Sequence, residues 1–272
     1  MLSTLFLATL LIGAEAPGSL TIEVFEKDAA GKEAPVPARV HLTGPDGMAV
    51  KPPARPSGLP RVLGPSLPFF HDHWSTPGAL SLELSPGKYA VLVERGPEYR
   101  RASGKIEVTT GAKQAARVVL ERWVRLAAKG WWCGDTHVHR PIEELPLILD
   151  AEDLNVAPAI TDWNKNNLWK ARPLPEKLLV EPSAGRAIHL LACEDERKGG
   201  ALLYFNVSAP LDFASDGPEY PSPVQHLTEA VEKQGAWAEI EKPFWWDVPA
   251  WISTGKVRSI GIANNHMCRA GM

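Results

Sequence analysis

The sequence predicts a β-sandwich followed by an α/β domain. From Ser19 to about Leu126, short runs alternate apolar and polar residues between Gly, Pro and Asp, which is typical of antiparallel strands with one solvated face. From Gly130 onward, short apolar strands alternate with helical stretches, which predicts βαβ units in a parallel sheet or barrel. The 25 prolines and 22 glycines in 272 residues favour many turns and short elements over a helical bundle.

The N-terminal residues MLSTLFLATLLIGAEAPG predict a secretory signal peptide over residues 1–18. They contain an apolar run from Leu5 to Ile12 and a small-x-small site from Ala14 to Ala16, although no Lys or Arg precedes the run. The alternative is a buried first strand. No later segment reaches the roughly 18 apolar residues of a membrane span. We therefore expect a secreted or periplasmic chain with no membrane span after processing.

The charge distribution argues against nucleic acid as a partner. The segment 21–129 holds 16 basic and 11 acidic residues, whereas 130–272 holds 13 basic and 20 acidic residues. A negative second half favours cations and disfavours a phosphate backbone. Three cysteines, an odd number, are no disulfide framework.

The sandwich, residues 19–126, is predicted to be a structural or binding accessory module, and the α/β domain covers residues 127–272. Within the sandwich, FFHDHW contains the pair His71 and His73 in a loop-like context without later carboxylates around it. A metal site is one interpretation of this pair, and we favour a structural role.

The second half is predicted to consist of alternating elements. The predicted strands are WWCGDTHVH, NVAPAIT, AIHLLACE, ALLYFNV, WAEIE and SIGIANN, and the predicted helices are PIEELPLILDAED and the stretch from Ser222 to Gly235. Residues of the ligand type follow the strand cores, and in a parallel barrel such strand ends meet on one face. These residues are Asp135, His137, His139, Asp162, Glu194, Asp195, Glu196, Glu239, Glu241, Lys242, Asn264, Asn265 and His266.

Two of these residues form the central motif. On an extended backbone His137 and His139 point the same way, so both imidazoles can contact a single ion, with Glu194 as a carboxylate ligand. Imidazole and carboxylate ligands suit Zn, Mn or Fe. The alternative for a His-x-His pair is two unconnected surface histidines.

The motif GDTHVHR resembles the opening motif of the polymerase and histidinol phosphatase (PHP) metal-dependent hydrolases, in their secreted CehA/McbA-like branch. EDLNVAPAITDWN, CEDE and EKPFWWDVP are similar to three further segments of that family. The resemblance implies a distorted (β/α)7 barrel in which a metal-activated water attacks an ester or phosphoester. It also implies that His137, His139 and Glu194 are metal ligands and that Asp162 orients a ligand or takes a proton.

The sequence departs from the family pattern at several positions. Trp163 and Lys242 stand where ligand histidines are expected, and a further histidine is missing near 199–202. These differences predict one ion rather than a cluster, with His266 as a candidate additional ligand or catalytic residue. Because 130–272 is short for a complete barrel of about 200 residues or more, the predicted barrel is incomplete.

Residues that could hold a substrate complete the predicted site. Lys242 could hold an anionic substrate or a developing oxyanion, or it could be a solvated residue at a strand end. Arg140 could bind an anionic group, or it could form a salt bridge with a nearby glutamate. Trp245 and Trp246 beside Asp247 could stack on a sugar ring or an aromatic substrate, with core packing as the favoured role of most tryptophans. Asn265 could line the site or cap a helix.

Two functions remain open at this level. The first is a secreted metal-dependent hydrolase of ester or phosphoester bonds that acts on a small-molecule or carbohydrate-like substrate. The alternative is a catalytically inactive barrel that binds a carbohydrate or another ligand through its Trp-rich face, which the residues Trp163 and Lys242 favour.

Overall fold

The computed structural model describes residues 16–28, 30–54, 58–213 and 222–262. The chain forms two compact units, of which the first ends at Leu126 and the second begins at Ala127, with Asp150–Glu152 grouped with the first. Most of the predicted signal peptide, residues 1–15, lies outside the described residues. Within the described ranges, no helix is both long and apolar enough to cross a membrane.

The first unit consists of two five-stranded sheets. Its strands are β1 (Gly18–Lys27), β2 (Glu33–Pro35), β3 (Ala38–Thr43), β4 (Arg61–Val62), β5 (Phe69–Phe70), β6 (His73–Thr76), β7 (Ala79–Leu84), β8 (Gly87–Glu94), β9 (Ala102–Val108) and β10 (Lys113–Leu120). One sheet has the order β10-β1-β7-β4, with β2 paired to β1, and the other has the order β5-β6-β3-β8-β9. The β1/β10 pair is parallel.

A single apolar core contains residues of both sheets. Along β1 the buried residues are Leu20, Ile22 and Val24, in the period of two that places alternate side chains on one face. In β3, Val40 and Leu42 are buried in the same way. The intervening residues of β3 therefore face away from the core, and His41 is one of them.

The second unit is built on a seven-stranded sheet. Its elements are α1 (Leu145–Glu152), β11 (Val156–Trp163), β12 (Asn166–Asn167), β13 (Leu179–Ser183), β14 (Arg186–Arg197), β15 (Gly200–Phe205), α2 (Ser222–Thr228), β16 (Trp237–Ile240), α3 (Val248–Ser253) and β17 (Val257–Ile260). The strand order is β12-β11-β14-β15-β16-β17, with β13 paired to β14. A π-helical turn, Glu229–Lys233, continues α2.

The predicted (β/α)7 barrel is wrong. Among the described residues of this unit, the β11/β14 and β16/β17 strand pairs are parallel, and β14 pairs with both β13 and β15 in antiparallel fashion. The reason lies in the connection between β14 and β15, which consists of two residues, Lys198 and Gly199. A parallel crossover needs about a dozen residues or more, so this connection produces a hairpin. The second unit is therefore a mixed sheet with short helices.

The prediction of a strand at WWCGDTHVH, residues 131–139, is also wrong. The segment forms two isolated parallel bridges to the first half of β11, from Gly134 to Val156 and from Val138 to Ala159. Trp131 and Trp132 are 69% and 66% exposed. The segment thus runs along the edge of the sheet in an extended but irregular conformation.

Candidate metal centre

Three predicted ligand residues come together in the second unit. Nε2 of His137 lies 3.0 Å from Nε2 of His139, and Oε2 of Glu194 lies 3.4 Å from the first nitrogen and 2.9 Å from the second. The buried Val138 between the two histidines packs in an apolar cluster with α1 and β11. Its burial turns both imidazoles to the opposite side, toward Glu194 in β14.

The three atoms have the spacing of ligands around one ion. Atoms with these separations lie on a circle of radius about 1.8 Å, so an ion about 1 Å out of their plane is roughly 2.0–2.1 Å from each. Oε2 of Glu194 is buried, and its close polar neighbours among the described residues are the two imidazole nitrogens. A cation at the centre of the triangle would take the place of the imidazole protons as the positive charge next to this carboxylate.

Two further residues support the histidines from outside this triangle. Oε1 of Glu241, just after β16, lies 3.0 Å from Nδ1 of His137. The ring of Trp163, the last residue of β11, lies 4.8 Å from the ring of His139, centroid to centroid. Glu241 therefore fixes the orientation of one imidazole, and Trp163 packs against the other.

Without a metal ion, the centre contains a cationic imidazole and an anionic carboxylate. Burial lowers the pKa of His137, but hydrogen bonds and charges from Glu194 and Glu241 outweigh burial and raise this pKa to about 10. Burial raises the pKa of Glu194, but contacts with His137 and His139 outweigh it and lower this pKa to about 2. At neutral pH a metal-free centre therefore holds an imidazolium against a carboxylate, and a cation must displace that proton.

Asp162 lies on the other face of the sheet. It is opposite Cys193 in the β11/β14 register, and its Oδ2 accepts a hydrogen bond from the backbone N–H of Leu211 at 2.9 Å. Cys193 and Leu211 belong to an apolar core cluster. Because strand residues alternate between faces, Asp162 points to this core and Glu194 to the metal centre. Burial raises the pKa of Asp162 to about 6.

Lys242 is buried and forms an ion pair with Glu196. Glu196 also accepts a hydrogen bond from Nε1 of Trp163, at 3.3 Å. The lysine charge is thus balanced by a carboxylate next to the aromatic ring that packs on His139. The interpretation of Lys242 as a solvated residue at a strand end does not describe this buried ion pair.

The predicted substrate-binding residues are dispersed. Arg140 forms a salt bridge with Glu144, four residues further along the chain and just before α1. Trp245 lies beside Gly200, and Asp247 precedes α3 with a buried Oδ2 that has no hydrogen bond. Asn265 and His266 lie outside the described residues.

The sequence places Glu241 among the ligand-type residues after a strand but predicts neither its contact with His137 nor the packing of Trp163 on His139. The available signal for Glu241 was the alternation in WAEIEK, in which the glutamates share a face with each other. Its contact with His137 spans 104 positions in the chain. Only the order of strands in the sheet brings the two residues together.

No protein-family model and no curated protein matches this chain. Solved structures with partial similarity include the minor pilin GBS52 of Streptococcus agalactiae, at 13% identity, 41% of this chain, 47% of that chain and a TM-score of 0.31. A second is the pilus-presented adhesin Cpa, with 12% sequence identity over 39% of this chain and 27% of that chain and a TM-score of 0.27. A third is the Bacillus anthracis TIE protein, with 19% identity over 44% of this chain and 18% of that chain and a TM-score of 0.26. The chain thus spans less than half the length of each of these structures. At such TM-scores we infer no function from them.

The PHP resemblance is therefore wrong as an assignment. No model of that family matches the chain, and the second unit has a mixed sheet in place of the barrel that the resemblance implies. The hydrolase and zinc-enzyme interpretation depended on that resemblance and falls with it. The short motif GDTHVHR placed two histidines correctly on one side of an extended segment without indicating the fold around them.

Proposed function

We propose that this chain is a binding protein whose second unit binds one divalent transition metal ion through His137, His139 and Glu194. The observation that supports this proposal is the triangle of two imidazole nitrogens and one carboxylate oxygen, separated by 2.9–3.4 Å. A donor set of two nitrogens and one oxygen suits Zn, Mn or Fe.

The proposed role of the ion is to bind a further ligand. Three protein ligands leave at least one coordination position for water or another donor. The side chain of His139 is 34% exposed, so this position is accessible from solvent. A small molecule with a carboxylate, phosphate or hydroxyl donor is the class of partner that such a position accepts. Secretion is part of the proposal and is supported by the pattern of residues 1–18.

Metal analysis of the full chain tests this proposal. Purified protein is treated with a chelator, loaded with Zn²⁺, Mn²⁺ or Fe²⁺ under exclusion of air, desalted, and analysed for bound metal per chain. We expect His137→Ala/His139→Ala to retain one equivalent less than the wild-type protein, and Glu194→Gln to bind the same ion more weakly.

The matched control is His189→Gln. His189 lies on β14 with Glu194, and its Nδ1 is 2.7 Å from the carbonyl oxygen of Leu191. This variant removes one imidazole from the same strand and should retain the wild-type metal content. Equal metal content in wild type and in the His137/His139 double variant, with both folded by circular dichroism, would refute the proposal.

A second candidate ligand is a carbohydrate, and exposed aromatic side chains near α3 favour it. Phe244 and Trp246 are 74% and 75% exposed, although most large aromatic side chains are buried in proteins. Flat aromatic faces can stack on sugar rings. If this candidate is correct, we expect Trp246→Ala to abolish binding to an oligosaccharide array. The control is Trp237→Ala, a change at a half-exposed tryptophan of β16, and this variant should retain binding. Equal binding by both variants would exclude the Trp246 surface.

A further inference from the structure

Two histidines face each other across neighbouring strands of the first unit. His41 of β3 is directly opposite His73 of β6 in antiparallel register, and their ring centroids are 4.9 Å apart. Directly opposite residues have Cβ atoms about 4.5–5.5 Å apart, which allows both imidazoles to contact one ion. Both side chains lie on the outward face, because Val40 and Trp74 next to them are buried in the core.

A carboxylate lies between the two rings. Phe70 pairs with His73 across a two-residue turn, His71 and Asp72, in which His71 has a φ of +52°. The turn places Oδ1 of Asp72 3.1 Å from Nδ1 of His73, and Oδ2 of Asp72 3.4 Å from Nδ1 of His41. Ligands about 2.0–2.1 Å from a tetrahedral ion are about 3.3 Å apart, so both separations match those around a bound metal.

A second carboxylate lies on the far side of His41. Oε2 of Glu94 in β8 is 3.2 Å from Nε2 of His41. This separation is an ion-pair distance without a hydrogen bond, because Nε2 of His41 makes none among the described residues. On the other side of the ring, Nδ1 of His41 lies 3.4 Å from Oδ2 of Asp72. A metal ion bound between these two atoms would take the place of a proton there.

The surrounding charges indicate which ions the site prefers. Arg39 and Arg101 contact Glu94 at 3.2 and 3.6 Å, so they balance its charge and leave Asp72 as the anionic ligand next to the two imidazoles. A site with two nitrogens and one carboxylate favours late first-row ions, whereas Ca²⁺ and Mg²⁺ need several oxygens.

We propose that His41, His73 and Asp72 form a second metal site, in the first unit, that binds Zn²⁺, Ni²⁺ or Cu²⁺. One potential ligand atom from each of the three residues lies within 4.8 Å of the other two. The side chain of Asp72 is 56% exposed, so the ion can enter from solvent. The site is independent of the centre at His137, His139 and Glu194.

Zinc binding by the full chain tests this second site. His137→Ala/His139→Ala is used as the background, because it removes the other centre. We expect equilibrium dialysis to show one equivalent of Zn²⁺ bound in this background, and adding His73→Gln should abolish it. Adding Asp72→Asn should weaken zinc binding at least tenfold, and this change at an exposed turn residue leaves the core intact.

The matched control is His71→Asn, which removes a histidine from the same turn and suits a positive φ. It should retain zinc binding, and millimolar Ca²⁺ should not compete. No zinc bound in the background variant would overturn this proposal and leave the other centre untouched. Equal weakening by His71→Asn and His73→Gln would also overturn it, because it would indicate general chelation by surface histidines.

Discussion

Oε1 of Glu241 lies 3.0 Å from Nδ1 of His137, while Nε2 of the same ring faces Glu194 at a distance of 3.4 Å. The side chain of Glu241 is 4% exposed, so water screens this contact little. A carboxylate at Nδ1 holds the proton there and leaves the Nε2 lone pair for an ion. Glu241 is therefore a candidate positioning residue for the proposed metal centre.

Substitution of Glu241 should reduce metal affinity without removing a ligand. We expect Glu241→Gln to lower the affinity for zinc roughly 10- to 100-fold, because loss of such a supporting carboxylate typically has this effect. Isothermal titration with Zn²⁺ measures the change. Glu239→Gln is the control, because Glu239 lies on β16, two residues before Glu241. Its carboxylate accepts a hydrogen bond from Ser259 of β17 at 2.7 Å. Equal losses in the two variants would contradict a positioning role for Glu241.

Metal binding should release a proton and strengthen as pH rises. The pKa of His137 is raised to about 10 in the metal-free protein, so this imidazole is charged at pH 7 and an ion must displace its proton. The pKa of Glu194 is lowered to about 2, so this carboxylate releases no proton between pH 5 and 9. We expect zinc affinity to increase by up to about tenfold per pH unit up to about pH 10. Calorimetric titration with Zn²⁺ in buffers of different ionisation enthalpy measures the number of protons released per bound ion. Binding without proton release would contradict the raised pKa of His137.

Asp162 should destabilise the folded second unit at neutral pH. Its pKa is raised from 3.8 to about 6, so the folded chain binds this proton more tightly than the unfolded chain does. The resulting stability is fully present below pH 3.8 and is lost as pH rises through about 6, a loss of about 3 kcal/mol. We expect Asp162→Asn to raise the free energy of unfolding at pH 7.5 by about 1–2 kcal/mol and to remove this pH dependence.

Urea unfolding at pH 4.5 and pH 7.5 measures that effect. Asp212→Asn, at an exposed aspartate, is the control and should leave both values unchanged. A lower stability of Asp162→Asn at pH 7.5 would show that the contact with the Leu211 backbone requires a charged acceptor.

Gly200 should be intolerant of any side chain. Its φ is +136°, and an added Cβ would lie 2.7 Å from the ring of Trp251 and 3.0 Å from Cβ of Trp245. We expect Gly200→Ala to lower the free energy of unfolding by at least about 2 kcal/mol through backbone strain and overpacking. Because Gly200 begins the strand that pairs with β14, the variant should also weaken metal binding at Glu194. Gly104→Ala, where nothing lies within 4 Å of the added Cβ, is the control in urea unfolding.

The local geometry of the metal centre could be predicted from the sequence, but its fold could not. Alternation in His137, Val138 and His139 correctly predicts two imidazoles on one side, because it depends on backbone geometry within three residues. The barrel prediction failed at Lys198 and Gly199, which lie between two apolar runs. A two-residue connection that contains glycine is a hairpin signal, and it favours antiparallel pairing over the parallel pairing that the alternation of strands and helices predicted.

Contacts that depend on strand register lay beyond sequence reasoning. The pair of His41 and His73 requires the register of β3 on β6. The separation of Asp162 from Glu194 requires the register of β11 on β14, where Asp162 is opposite Cys193. Both registers are set by packing of the buried faces, which the sequence of a single strand does not specify.

The alternation along β14 links metal selectivity to strand pairing. Glu194 faces the histidines, and Cys193 beside it faces the core. A slip of β14 by one residue, in the direction that moves Cys193 to the place of Glu194, would present a thiol to the imidazoles, and such a donor set is preferred by soft, thiophilic cations. If the proposed site binds a metal ion, the hairpin that holds β14 in place would therefore also decide which ions it prefers.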